Sequence, residues 1–133
     1  MTHLETVQEL YRCFAARDNE GVRAVLAPDI EWNQMAGFPN GGRYIGADAI
    51  FQGVFTGFRE QWEEWRAPVE RYLDAGDTIL ALGHYAGRYR ATGRTLRAEF
   101  AHLYELKAGR IVRFVQYTDT RLVAEAMGLR PNG

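Results

Sequence analysis

Leu4, Val7, Leu10, Tyr11 and Phe14 recur three and four residues apart behind Thr2-His3-Leu4-Glu5, whose Thr-x-x-Glu spacing is a capping box. The pattern predicts a first helix from about residue 3 to 17. Asp18 or Asn19 can cap a short second helix carrying Val22, Val25 and Leu26, closed by Pro28, and Asp29 to Met35 then reads as a strand. Ala36-Gly37-Phe38-Pro39-Asn40-Gly41-Gly42 is the clearest loop, because it concentrates residues that permit unusual backbone angles. From Ala47 the apolar residues Ile50, Phe51, Val54, Phe55, Phe58, Trp62 and Trp65 predict one long helix that ends before Pro68.

Beyond Pro68 the period changes to two. Turn signals at Ala75-Gly76-Asp77, Thr92-Gly93-Arg94 and Ala108-Gly109-Arg110 divide the chain into strands near 69–74, 78–90, 95–107 and 111–118. A last short helix with Leu122, Val123, Ala126 and Met127 stops at Gly128. Helices, one strand, a long helix and then an antiparallel meander predict a single α+β domain over residues 1–133. Its curved, mainly antiparallel sheet wraps the N-terminal helices as a cone-shaped barrel, and an apolar pocket is expected between sheet and helices.

Composition narrows the chemistry. A chain of 133 residues, 47% hydrophobic, can bury a core without disulfides or a structural metal. Its net charge of -1 leaves no global field to hold nucleic acid or an anionic membrane. The N-terminal segment has no apolar signal-peptide core and no run is long enough to span a bilayer, so a cytoplasmic location is expected. Cys13 is the lone cysteine, falls off the apolar stripe of the first helix and has no visible activating partner. Neither a metal nor a cofactor is expected: His84 and His102 lie on different strands without ligand spacing.

Asp119 is the carboxylate singled out, since it follows the apolar strand ending at Tyr117 and stands where the chain turns into a helix. In a dry pocket its pKa would rise and fit it for proton transfer; as a solvated helix N-cap it would lose that role. Trp32 and Gln34 share one strand face by the two-residue period, and an inward Gln34 amide needs a partner that a ligand or water can supply. Tyr85 and Tyr89 share a packed face of their strand, with Arg88 and Arg90 on the solvated one.

The element order, with Gly46-Ala47-Asp48-Ala49-Ile50, Gly76-Asp77, Thr92-Gly93-Arg94, Gly109-Arg110-Ile111 and Tyr117-Thr118-Asp119-Thr120, resembles the nuclear transport factor 2-like fold. Within it the chain is similar to the SnoaL-like, ketosteroid-isomerase-like and limonene-epoxide-hydrolase-like families. Against the isomerase pattern, the first-helix Tyr, the base and the hydrogen-bonding Asp would fall at Leu10, Gln34 and Ala101, so that mechanism is rejected, although Tyr11 is one position away. The hydrolase pattern matches Trp32-Asn33-Gln34 and Asp119, but its Arg-x-Asp pair has no counterpart in Gly83 to Arg88 unless His84, Tyr85 or Glu99 supplies the proton.

The SnoaL-like cyclase resemblance implies cofactor-independent acid/base chemistry by Asp119 on a small, largely apolar organic molecule. Trp32, Gln34 and Tyr117 would orient water or a ligand oxygen, and Tyr85, His102, Leu103 and Phe58 complete the expected lining. The same alignment puts Ala101 and Leu103 on the pocket side, which favours His102 on the other face, in a homodimer interface through the sheet. Alternatives are epoxide hydrolysis with Asp119, Trp32 and Gln34 holding water, and a non-catalytic ligand-binding or dimerisation module.

Overall fold

The computed structural model describes residues 1–129. Helix α1 (His3–Ala16) opens on the capping box: the Thr2 hydroxyl accepts from the Glu5 amide, and the Glu5 carboxylate accepts from the Thr2 amide. Helix α2 (Asn19–Val25) is capped by Asp18. Both helices press Val7, Leu10, Val22 and Val25 into the core. Cys13 joins them, completely buried, which corrects its expected place off the apolar stripe; burial and Glu9 push its thiol pKa up.

Strand β1 (Leu26–Gln34) starts three residues earlier than Asp29 and runs through Pro28. Proline is tolerated there because the parallel ladder to β7 (Arg110–Thr118) is irregular between Leu26 and Glu31, and the edge strand β2 (Gly42–Ile45) pairs only from Glu31 onward. The expected long helix is shorter and broken. It consists of α3 (Ala47–Ile50), a π-helical turn at Phe51–Phe55 and α4 (Thr56–Gln61). The Thr56 hydroxyl donates to the Phe51 carbonyl at 2.8 Å across that wide turn.

Trp62 and Trp65 belong to a strand, β3 (Trp62–Arg66). Glu64 adopts a left-handed φ of 54° and the pairing with β5 (Thr78–Tyr89) slips between Glu63 and Arg66. This bulge inserts one residue, so two tryptophans three apart pack together, at 5.0 Å between ring centres, in an extended chain. Helical spacing was imitated by an irregular strand.

The remaining strands, β4 (Val69–Asp74), β5, β6 (Thr95–Lys107) and β7, form the expected meander, and α5 (Thr120–Ala126) closes the chain. Hydrogen-bonded neighbours run β2-β1-β7-β6-β5-β3, with β4 also on β5, giving one curved seven-stranded sheet. At Gly83 a Cβ would stand 2.1 Å from the Pro68 carbonyl, so the chain entering β4 crosses where no side chain fits. The concave side holds the core: Trp32, Ile79, Tyr104 and Phe114 under α1 and α3, and Tyr85, Ala98, Phe100 and Val123 towards the other end. No helix among the described residues is long and apolar enough to cross a membrane.

Candidate functional site

Alternation along β5, along β6 and along β7 from Phe114 onward turns Tyr85, His102 and Gln116 into the concavity, and the register sets His102 directly beside Gln116. Tyr11 arrives from α1, half-buried, with its hydroxyl turned toward His102 and Tyr104. The His102 ring is clamped from both sides. Its Nδ1 lies 2.5 Å from the Tyr11 hydroxyl and its Nε2 2.5 Å from the Tyr85 hydroxyl. Gln116 Nε2 donates to the Tyr85 hydroxyl at 2.8 Å, Gln116 Oε1 accepts from the Met35 amide at 3.0 Å, and Tyr11 reaches Tyr104 at 2.7 Å. Phe100 stacks flat on the imidazole at 3.7 Å.

The cluster is electrically quiet. Burial holds the His102 pKa well below the usual histidine range and raises the Tyr11, Tyr85 and Tyr104 hydroxyls. At neutral pH four uncharged groups therefore share protons in the interior. Every buried side-chain nitrogen and oxygen among the described residues has a partner. Such a chain can present a hydrogen bond to a ligand oxygen and pass a proton through the imidazole.

The loop over residues 35–41 covers this end of the cone. Met35 and Phe38 carbonyls accept from the Phe38 and Gly41 amides in two successive turns, and Gly37 takes a φ of 93°. The loop drops Phe38, only 5% exposed, against Phe58 and Tyr85 at ring distances of 5.9 and 6.1 Å. Phe58 in turn stacks on Trp65 at 4.3 Å.

Several sequence expectations move. Asp119 does not face the interior: its carboxylate is exposed and accepts from the Leu122 amide at 3.1 Å as the N-cap of α5. The short capping geometry holds it at the strand exit, outside the Tyr11–His102–Tyr85 cluster. Tyr117, 49% exposed, and Leu103 lie on the convex face, because the inward positions of β6 and β7 are Phe100, His102, Tyr104, Phe114 and Gln116. The alignment of Ala101 and Leu103 with pocket positions was one residue out of phase, and one residue exchanges the faces of a strand. His102 is thus interior, while His84 is on the convex side, 2.6 Å from Glu70.

Trp32 and Gln34 do share an inward face, yet they satisfy each other. Trp32 Nε1 donates to Gln34 Oε1 at 2.9 Å, and Gln34 Nε2 donates to Asn40 at 3.1 Å, so the amide awaits no external partner. Tyr85 and Phe58 are placed in the concavity as expected. Two surface clefts, one between the β5–β6 turn and α5 and one between α2 and the π-helical turn, include none of Tyr11, Tyr85 or His102. Aromatic rings of Phe38, Phe58, Trp65, Tyr85 and Phe100 pack against one another in the interior where an apolar pocket was expected. Tyr11, Tyr104 and Gln116, absent from the expected lining, are the residues that complete the cluster; Gln116 was readable as a polar side chain in phase with Phe114 on β7.

A helix-filled cone closed by a seven-stranded curved sheet, with a polar cluster at its inner end, is the nuclear transport factor 2-like architecture, and the solved structures agree. A protein of this fold from Burkholderia thailandensis is 40% identical, with 98% of this chain and 99% of that one covered at a TM-score of 0.93. One of unknown function from Burkholderia pseudomallei is 28% identical, covering 93% and 95% at 0.86. TerC, co-crystallised with polyporic acid, is 22% identical, covering 95% and 98% at 0.85. The family model of the SnoaL-like domain matches residues 7–114, and the chain belongs to that family. No curated protein sequence matches it.

Proposed function

We propose that this protein encloses a small, largely apolar organic molecule at the inner end of the cone and performs cofactor-independent acid/base chemistry on it. The working groups are Tyr11, His102 and Tyr85 in place of Asp119. The observation that carries this reading is a buried neutral imidazole held at 2.5 Å by a tyrosine hydroxyl on each ring nitrogen. A core histidine needs partners, but not a five-residue hydrogen-bonded chain running from the lid loop to the base of the barrel. The Tyr85 ring packs against Phe38, so a ligand takes the place of the Phe38 ring when the loop lifts, and its carbonyl or hydroxyl oxygen meets Tyr85. TerC, of the same fold and co-crystallised with polyporic acid, supports a small-molecule role.

The test is a thermal-shift and turnover screen of aromatic ketones, polyketide-like diones and epoxides. Tyr85→Phe is expected to lower turnover of a hit by about 100-fold or more, the usual weight of general acid/base assistance, with a smaller loss of affinity. Unchanged turnover in Tyr85→Phe, or no hit that stabilises the fold, would remove the reading. A homodimer through the convex sheet face completes the proposal. Leu80, Leu82, Ala101, Leu103 and Val115 are half-buried there, and Tyr117 is exposed.

A further inference from the structure

A neutral imidazole carries one N–H and one bare nitrogen, so the two tyrosines against His102 cannot play the same part. Which is donor follows from an atom outside the cluster. The Met35 backbone amide can only donate, and it points at Gln116 Oε1 from 3.0 Å. This fixes the Gln116 carboxamide, whose other end, Nε2, can only donate to the Tyr85 oxygen at 2.8 Å. The Tyr85 proton is then free for one acceptor, His102 Nε2. The imidazole proton must therefore lie on Nδ1 and be donated to Tyr11, whose own proton passes to Tyr104.

We propose that Gln116 is a positioning residue: anchored by the Met35 amide, it sets the direction of the whole hydrogen-bond chain and holds His102 in its Nδ1–H form, with Nε2 as proton acceptor behind Tyr85. The inference rests on the reading of Tyr11, His102 and Tyr85 as the working groups and adds their polarity. It also gives the lid a second task. Met35 is the root of the loop that carries Phe38: its N–H anchors Gln116 and its carbonyl accepts from the Phe38 amide in the first loop turn, so one residue joins the lid to the chain. With the loop shut, Tyr85 presents its proton inward to His102; a ligand oxygen that attracts that proton, or a lifted Met35 amide that releases Gln116, changes the direction of the chain.

The direct readout is the nitrogen chemical shifts of the His102 ring in the intact protein, labelled with nitrogen-15 and recorded near pH 7.5. The expected result is one slowly exchanging form, with the shift of a protonated Nδ1 and of a bare Nε2. A protonated Nε2, or averaged shifts on both nitrogens, overturns the proposal. Gln116→Met, close in length but without donor or acceptor, is expected to abolish the single form, the two shifts moving toward each other. Tyr85→Phe, which disconnects Gln116 from the ring, should do the same and serves if Gln116→Met does not fold. A pure Nδ1–H form retained in the folded variant would show that Gln116 does not set it. The outcome is separable from the ligand-binding reading: a wild-type chain with the expected tautomer but no small-molecule hit loses only the function, and a hit with the reverse tautomer loses only this inference.

Discussion

At His102 the interior imposes a cost that depends on acidity. Exposed in the unfolded chain its imidazole titrates near the usual 6.5, whereas burial holds the folded form well below that value. Between the two the unfolded state binds more protons, so this residue's contribution is complete above about pH 6.5 and stability falls as pH drops below it. The slope is at most about 1.4 kcal/mol per pH unit. Urea unfolding from pH 7.5 to 5 should show the decline, and His102→Gln should flatten it; parallel slopes would mean that other groups carry the acid sensitivity. Asp119 tests the opposite assignment. As an N-cap it should lose about 1 kcal/mol on Asp119→Ala and only a few tenths on Asp119→Asn, because asparagine caps as well as aspartate. Asp119→Asn should also leave any turnover intact; a large kinetic loss with unchanged melting temperature would restore Asp119 as an acid/base group.

At the scale of elements, the parts that follow a single period were legible and the parts that break one were not. β5 and β6 alternate along most of their length and β7 does so from Phe114 onward, past a bulge near Ile111, and their turns carried the right glycines. The β6–β7 connection places Ala108 and Gly109 at φ values of 52° and 79° between the paired Lys107 and Arg110, a two-residue turn that favours Asn-Gly. Ala108→Asn should recover part of the roughly 1–2 kcal/mol that a left-handed conformation costs an ordinary residue, measured as a raised urea midpoint. The stretch from Ala47 to Arg66 was misread because a π-helical turn and a strand bulge each insert one residue, and an inserted residue leaves apolar spacing that one continuous helix also satisfies. The site was half legible. Tyr85, Trp32 and Gln34 were on the right faces, but the phase of β6 rested on an alignment to motifs lacking their key residues, and a slip of one favoured the convex face for His102 although it was named in the lining. Tyr11 was hidden by the same shift on α1, and nothing local in the sequence tells that Asp119 spends its carboxylate on its own helix.

For the whole molecule, the sheet has two very different sides. The concave one is sealed by aromatic rings, whereas the convex one leaves Leu80, Leu82, Leu103 and Val115 half-covered between the Glu31–Arg113–Glu105 ion pairs and the Glu70–His84 pair. Two copies joined across this face should give a light-scattering mass of twice the chain at micromolar concentration, and Leu103→Glu should halve it; a wild-type mass of one chain would contradict the pairing. The line of rings from Phe38 through Phe58 to Trp65 has an optical consequence. Trp32 lies apart in the other core cluster, flat against Phe114 at 3.8 Å, and reports on global unfolding. Trp65, with Trp62 packed against it, instead stands at the far end of the line of rings that begins in the loop, so a Trp62→Phe variant carries a built-in fluorophore for the lid, and stopped-flow emission can time its opening without any attached dye.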